Sequence, residues 1–382
     1  MKKFIFIIFI IILLPFNVQA DSIQKSINED DLQIQHLYDY ITNMKTDYEV
    51  LKDLEPKEFV EEFIKSGNSK ISFKKVSQAL LTYTFKDVVA LFKSMAILIV
   101  ISIVCALLNN LQNSFSKNDI GNIAYFACYA LMIVIISKSF YGAASVAKDT
   151  IIKITDFMAA IIPVLMMLLA TVGGFTQATI MDPIIITVIN ISSRIYINII
   201  IPIIFMSFVL QFVNNISEEF KINKLTKLLS QIALWAQGII MTIFIGVLTI
   251  RGITSKTIDQ VTAKTAKYAV DNFVPIVGKA LSDAISTVAG YSLLLKNAIS
   301  GLGLIIILLL VIFPVFKILA MSFVYKLTAA FIEPVSDSRI VSCLTSVGDA
   351  LILLMSCVIS ISTMFFIMIT IIASAGKIPV GG

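Results

Sequence analysis

The chain has 382 residues, 58% of them hydrophobic and only 14% charged, and a formal net charge of +5. Repeated apolar runs of about 20 residues suit a hydrocarbon layer about 30 Å thick far better than they suit a soluble core. This composition excludes an ordinary soluble enzyme, and the scattered basic residues lack the dense patch that nucleic acid requires.

Residues 1–20 read as a secretory signal. Lys2 and Lys3 precede the apolar stretch from Phe4 to Leu14, Pro15 breaks it, and Val18 and Ala20 are the small residues of a cleavage site. Residues 21–87 are predicted to be an extracytoplasmic helical region, with 13 acidic and 9 basic side chains between Asp21 and Asp87. One helix is expected from Pro56, a good first helical residue, to a stop at Gly67, with Phe59, Val60, Phe63 and Ile64 on one face. Leu32, Ile34, Leu37, Ile41 and Met44 mark a second helical stripe. So short a region builds only a small core, and is expected to pack on the membrane body or on a partner.

Residues 88–251 are predicted to form a membrane body, with apolar segments at 88–108, 121–141, 154–172, 184–213 and 232–251. Two more, at 301–323 and 343–373, lie in the last portion, 301–382, which ends in a C-terminal tail. The expected fold is therefore all-α, a polytopic helical membrane protein with about seven transmembrane helices. Pro183 and Pro202 predict bends in the fourth segment, because proline removes a backbone donor and crowds the preceding turn. Gly238, Thr242 and Gly246 recur every fourth residue and allow a second helix to come close; packing within the same chain is the default expectation. Lysine and arginine divide almost evenly between the two sides, so the positive-inside rule sets no orientation. The signal sequence alone does: it predicts the front outside the cytoplasm and the segment around 256–300 on the cytoplasmic face.

No phosphate-binding loop, zinc-protease motif or nucleophile elbow is present, and His36 is the single histidine. Cys105, Cys128, Cys343 and Cys357 sit in apolar runs as small fillers, so no catalytic residue, metal site or cofactor is expected. The candidates for an intramembrane pathway are charges within or beside the apolar runs: Arg194, Lys317, Asp156 and Asp349. Such a group costs roughly 3 kcal/mol at a helix centre and tends to mark a conduit or a buried pair, for which Arg194 with Asp349 is one guess. Lys93 and Lys138 reach the interface by snorkelling.

Residues 252–300 are too long for a link between spans and too polar to cross alone. Ile258, Val261, Thr265 and Tyr268 form one apolar stripe, and Leu281, Ile285, Val288 and Ser292 another. Asn272 to Gly278 lies between, where Pro275 should interrupt the helix. An amphipathic re-entrant or interfacial hairpin is predicted.

The text of this hairpin resembles the stage III sporulation protein AE family. The matching runs are Lys264-Thr265-Ala266-Lys267-Tyr268-Ala269, Asn272-Phe273-Val274-Pro275-Ile276-Val277-Gly278, Leu281-Ser282-Asp283-Ala284 and Ser292-Leu293-Leu294-Leu295-Lys296-Asn297-Ala298. Lys264, Lys267, Asn272, Pro275, Gly278, Asp283 and Lys296 are accordingly the candidate assembly residues. The resemblance implies a non-enzymatic, multi-pass component of the mother-cell membrane facing the forespore, in a channel complex that sustains late forespore gene expression. The implied partners are membrane lipids, other stage III subunits including ring-forming membrane proteins, and a separate cytoplasmic ATPase. The residues themselves leave two alternatives open: a self-contained transporter of a small solute, or a scaffold without a pore.

Overall fold

A computed structural model of the chain describes residues 32–44, 55–66, 92–93, 95–108, 119–216, 222–273 and 278–375; of 251–273 and 278–286 it describes the backbone course alone. These residues are helical apart from short turns, with no strand among them. Helix α1 covers 32–44, α2 Pro56–Ser66, α3 Met95–Leu108 and α4 Asp119–Thr171. Helix α5, Phe175–Ile195, runs through a π-helical turn, Tyr196–Ile200, into α6, Ile201–Ile216. Then come α7, Asn223–Phe273, α8, Gly278–Ile332, and α9, Ser338–Ser374.

Five stretches among the described residues are long and apolar enough to cross a membrane, and α3 is a shorter apolar helix. The chain is a polytopic helical membrane protein. Its longest helices exceed what a bilayer needs: the 55 residues of α8 span about 80 Å at the α-helical rise. Parts of α4, α7 and α8 therefore project beyond the hydrocarbon.

Residues 121–141 and 154–172, read from hydropathy as two spans, lie in one unbroken helix, the 53-residue α4. The sequence between them is polar enough to lower an average but holds no proline and only one glycine, Gly142, which the helix tolerates. A buried stripe runs straight through it: Ile136, Phe140, Ala143, Ala147, Ile151, Ile154, Met158, Ile161 and Leu165. That three-and-four spacing is one face of a single helix. The helix stops at Gly173, whose φ of 90° only glycine adopts cheaply. There Gly174 N–H donates to Leu169 O (3.0 Å) and Gly173 N–H to Ala170 O (3.1 Å), the paired bonds of a Schellman stop.

One crossing in place of two would reverse the side of everything after it. The packing agrees, because α2 lies against α8, and Tyr38 of α1 is close enough to Tyr291 of α8 to feel its charge. The beginning of α8 therefore lies beside α1 and α2. In the front itself, Leu37, Ile41, Phe59 and Val60 are buried, whereas Leu32 is exposed.

Helix α9 is the centre of the body. It packs along α8 and also against α4, α6 and α7, and buries Leu351, Leu354, Val358, Ile361, Phe365 and Met368 completely. The turn before it is short. Asp337 caps α9, its side chain accepting from Arg339 N–H at 2.9 Å. Ser322 of α8 donates to Gly348 O at 2.8 Å, and a Cβ on Gly348 would come within 2.7 Å of Lys326 Cγ. The missing side chain lets the Lys326 stem lie across α9.

Helix α7 buries its other face, through Thr226, Ala233, Gln237, Phe244 and Leu248. A Cβ on Gly238 or Gly246 would meet nothing within 4 Å, and Thr242 is exposed. The expectation that this small-residue stripe packs within the chain is overturned. The burial of Gln237 and Phe244 rotates the stripe outward.

Candidate functional site: a polar cluster at the middle of the membrane body

The π turn at Tyr196–Ile200 follows from Pro202. Proline has no N–H for the carbonyl four residues back and crowds it. The chain widens by one residue instead, and Ile201 N–H donates to Tyr196 O, five positions earlier. Such turns inside α-helices recur at functional sites. This one leaves Tyr196 fully buried and aimed at α7, its hydroxyl 3.4 Å from the backbone oxygen of Gln237.

Gln237 is 3% exposed. Its Oε1 accepts from Ser356 Oγ at 2.9 Å and from Ser360 Oγ at 3.4 Å, both on α9 and both half-buried. Ser356 has one proton and two acceptors within reach, since Leu353 O lies 2.7 Å away. At the other end of the amide, Nε2 is buried with no hydrogen-bond partner. An amide N–H left unmatched costs roughly 1–3 kcal/mol in a protein interior, and hydrocarbon offers no water to relieve it.

The depth of the cluster is equally telling. Tyr196, Gln237 and Ser356 fall near the midpoints of three candidate spans, Pro183–Val213, Asn223–Ile250 and Ser338–Ser374. Polar side chains at mid-membrane are expensive and mark candidate functional sites. Two further hydroxyl joints flank the cluster: Thr155 with Ser193 (2.6 Å) and Ser207 with Ser230 (2.8 Å). From Ser193 to Ser207 is about 21 Å along the helix, most of a hydrocarbon thickness.

The four charged candidates lie outside this cluster. Arg194 and Asp156 are exposed, on α5 and α4, beside the Thr155–Ser193 joint. Lys317 is half-buried on α8. Asp349 pairs with Lys326 at 2.7 Å, not with Arg194, and both side chains are well exposed. Among the assembly candidates, Lys264, Lys267 and Asn272 belong to the extension of α7, and Gly278 and Asp283 to the start of α8. Pro275 lies outside the described residues. Lys296 is fully buried, and its Nζ donates to the backbone oxygens of Ile372 (3.3 Å) and Ala373 (3.1 Å) and to that of Ala375. Its ammonium thus clasps the carbonyl end of α9, where a positive charge also meets the negative end of the helix dipole.

Charge led the sequence reading to Arg194 and Lys317 and away from Gln237. The available signal was simpler: Gln237 is an amide within an apolar run, and Ser356 and Ser360 are one helical turn apart. Among the described residues, no group of three or more His, Cys, Asp or Glu side chains is placed to hold a metal.

The family model for stage III sporulation protein AE matches residues 54–376. The chain belongs to that family. Its match covers the polar cluster, the Lys296 clasp and both long helices around 252–300. A stage III sporulation protein AE from Bacillus subtilis (strain 168) is 34% identical over 347 residues, covering 91% of this chain and 87% of that one. No solved structure matches the chain. This family member is therefore a sporulation protein of the membrane.

Proposed function

We propose that this chain is a non-enzymatic membrane subunit of a stage III sporulation complex joining mother cell and forespore, and that it supports late forespore gene expression. The observation that carries the reading is family membership over most of the chain, joined to a multi-span body. In this reading the protein sits in the mother-cell membrane facing the forespore, with α1 and α2 outside the cytoplasm. Its partners are lipids, ring-forming membrane subunits of the complex and, less directly, the cytoplasmic ATPase.

The contact of α2 with α8 refines the expected docking side. If α1 and α2 are extracytoplasmic, the beginning of α8 and the adjoining end of α7 are too. The segment 252–300 then faces ring-forming subunits outside the cytoplasm rather than the ATPase. A cysteine-free chain carrying single cysteines at Lys57 or Ser282 tests this. Both positions should react with a membrane-impermeant maleimide added to growing cells that express the chain in their outer cell membrane, and photo-crosslinkers near Ser282 should capture other stage III subunits in sporulating cells. Labelling at Lys57 but not at Ser282 defeats the sidedness. Capture of no stage III subunit, with normal membrane insertion, defeats the assembly role.

The second reading, a conduit for a small solute, is favoured by one observation, the polar cluster at mid-membrane. Solute uptake by liposomes holding the purified chain alone would support it.

A further inference from the structure

The Gln237 amide has no orientation that satisfies both of its ends. As placed, Oε1 accepts from Ser356 and Ser360 while Nε2 has no partner. Turned over, Nε2 would face the two serine oxygens and Oε1 would be the unmatched end. The surrounding groups cannot close the gap. The Tyr196 hydroxyl lies against the Gln237 backbone oxygen, and the Ser356 proton is contested by Leu353 O. None of these four side chains is a carboxylate or a cation, so the cluster offers an ion no counter-charge. What fits is a small uncharged group that both donates and accepts. Ser356 and Ser360 are half-buried and give the cluster an outer edge.

We propose that Gln237, Ser356, Ser360 and Tyr196 form a binding site at the middle of the membrane body for one small neutral hydrogen-bonding molecule, a resident water or the hydroxyl or amide of a passing solute. The site is independent of the assembly role, and its failure would leave that role untouched. Buried water is most often found where a polar site supplies two to four partners, and this cluster supplies them. The π turn begins at Tyr196, and a regular helix would rotate every residue after the bulge by about 100° relative to it.

The test uses the full chain, labelled with nitrogen-15, in lipid bilayers, with water as the first probe. Proton-detected solid-state NMR assigns the Gln237 side-chain NH2 by its disappearance in Gln237→Met. Magnetisation transfer from water to that NH2 is expected, together with a lower melting temperature for Gln237→Met. Should that variant fail to fold, Ser360→Ala serves, and a weaker transfer to Gln237 is expected. An NH2 signal with no water transfer in the unaltered protein overturns the proposal, as does a Gln237→Met protein more stable than the original. Osmotic swelling of proteoliposomes in urea and in glycerol separates the two sources. Entry at least several-fold faster than for Gln237→Met identifies a passing solute, and equal rates identify resident water.

Discussion

Replacing Lys296 with methionine keeps the length of the side chain and removes its ammonium. Three backbone oxygens at the end of α9 then lose their donor. A hydrogen bond to a charged group contributes about 1.5–3 kcal/mol, so the three together are large in gross terms. Against that stands the desolvation of a fully buried ammonium, several kcal/mol in order of magnitude, which the substitution also removes. The residual cost is that of unmatched carbonyls, and the chain can lower it by unwinding the last turn of α9 into water. Unwinding exposes Ile372, now 2% accessible, whose burial contributes about 1.5–3 kcal/mol. The expected loss is therefore about 2–4 kcal/mol, on the order of 2–5 °C in melting temperature for a chain this long. Fluorescence-detected unfolding in detergent measures it, and limited proteolysis shows whether the C-terminal tail is released. An unchanged melting temperature with an unchanged tail digest would refute the clasp.

Gly348→Val should destabilise the α8–α9 hairpin by roughly 1–3 kcal/mol, because the new side chain meets the Lys326 stem and overpacks the contact; thermal unfolding reports it, and an effect below a few tenths would contradict the close approach. Tyr38 has its hydroxyl pKa pushed up to about 12, first by burial and then by the charges of Glu61 and Tyr291. A raised folded-state value means that stability is complete below pH 10 and declines as pH climbs from 10 toward 12. Protease resistance of the front helices should fall over that window, and Tyr38→Phe should flatten the dependence. Gly238→Ala meets nothing within 4 Å and should leave the isolated chain's melting temperature within about 1 °C, since an exposed helical glycine changed to alanine gains up to ~1 kcal/mol. A large drop would mean that the stripe packs inside the chain.

Much of the fold is legible in the sequence. Apolar runs announced a helical membrane protein, and Pro56 and Gly67 bracketed a helix found at Pro56–Ser66. The runs of text around Lys264 and Asn272 pointed to the family. These are local properties: hydropathy over a bilayer's thickness, caps and breakers, and residue order.

What local properties could not decide was continuity and partnership. Hydropathy averages split α4 where Lys148, Asp149 and Lys153 intervene, although the buried stripe through Ala143, Ala147 and Ile151 runs on. Partnership was harder still, because Lys296 meets carbonyls some 76–79 residues away and Gln237 meets serines 119 and 123 residues away. A buried polar group is defined by what surrounds it, and those surroundings exist only once the helices have packed. Sequence alone determined that the chain enters the membrane and which family it joins. The tertiary structure decided which of its polar residues face each other there, because helix rotation and register, not residue type, bring their atoms within bonding distance.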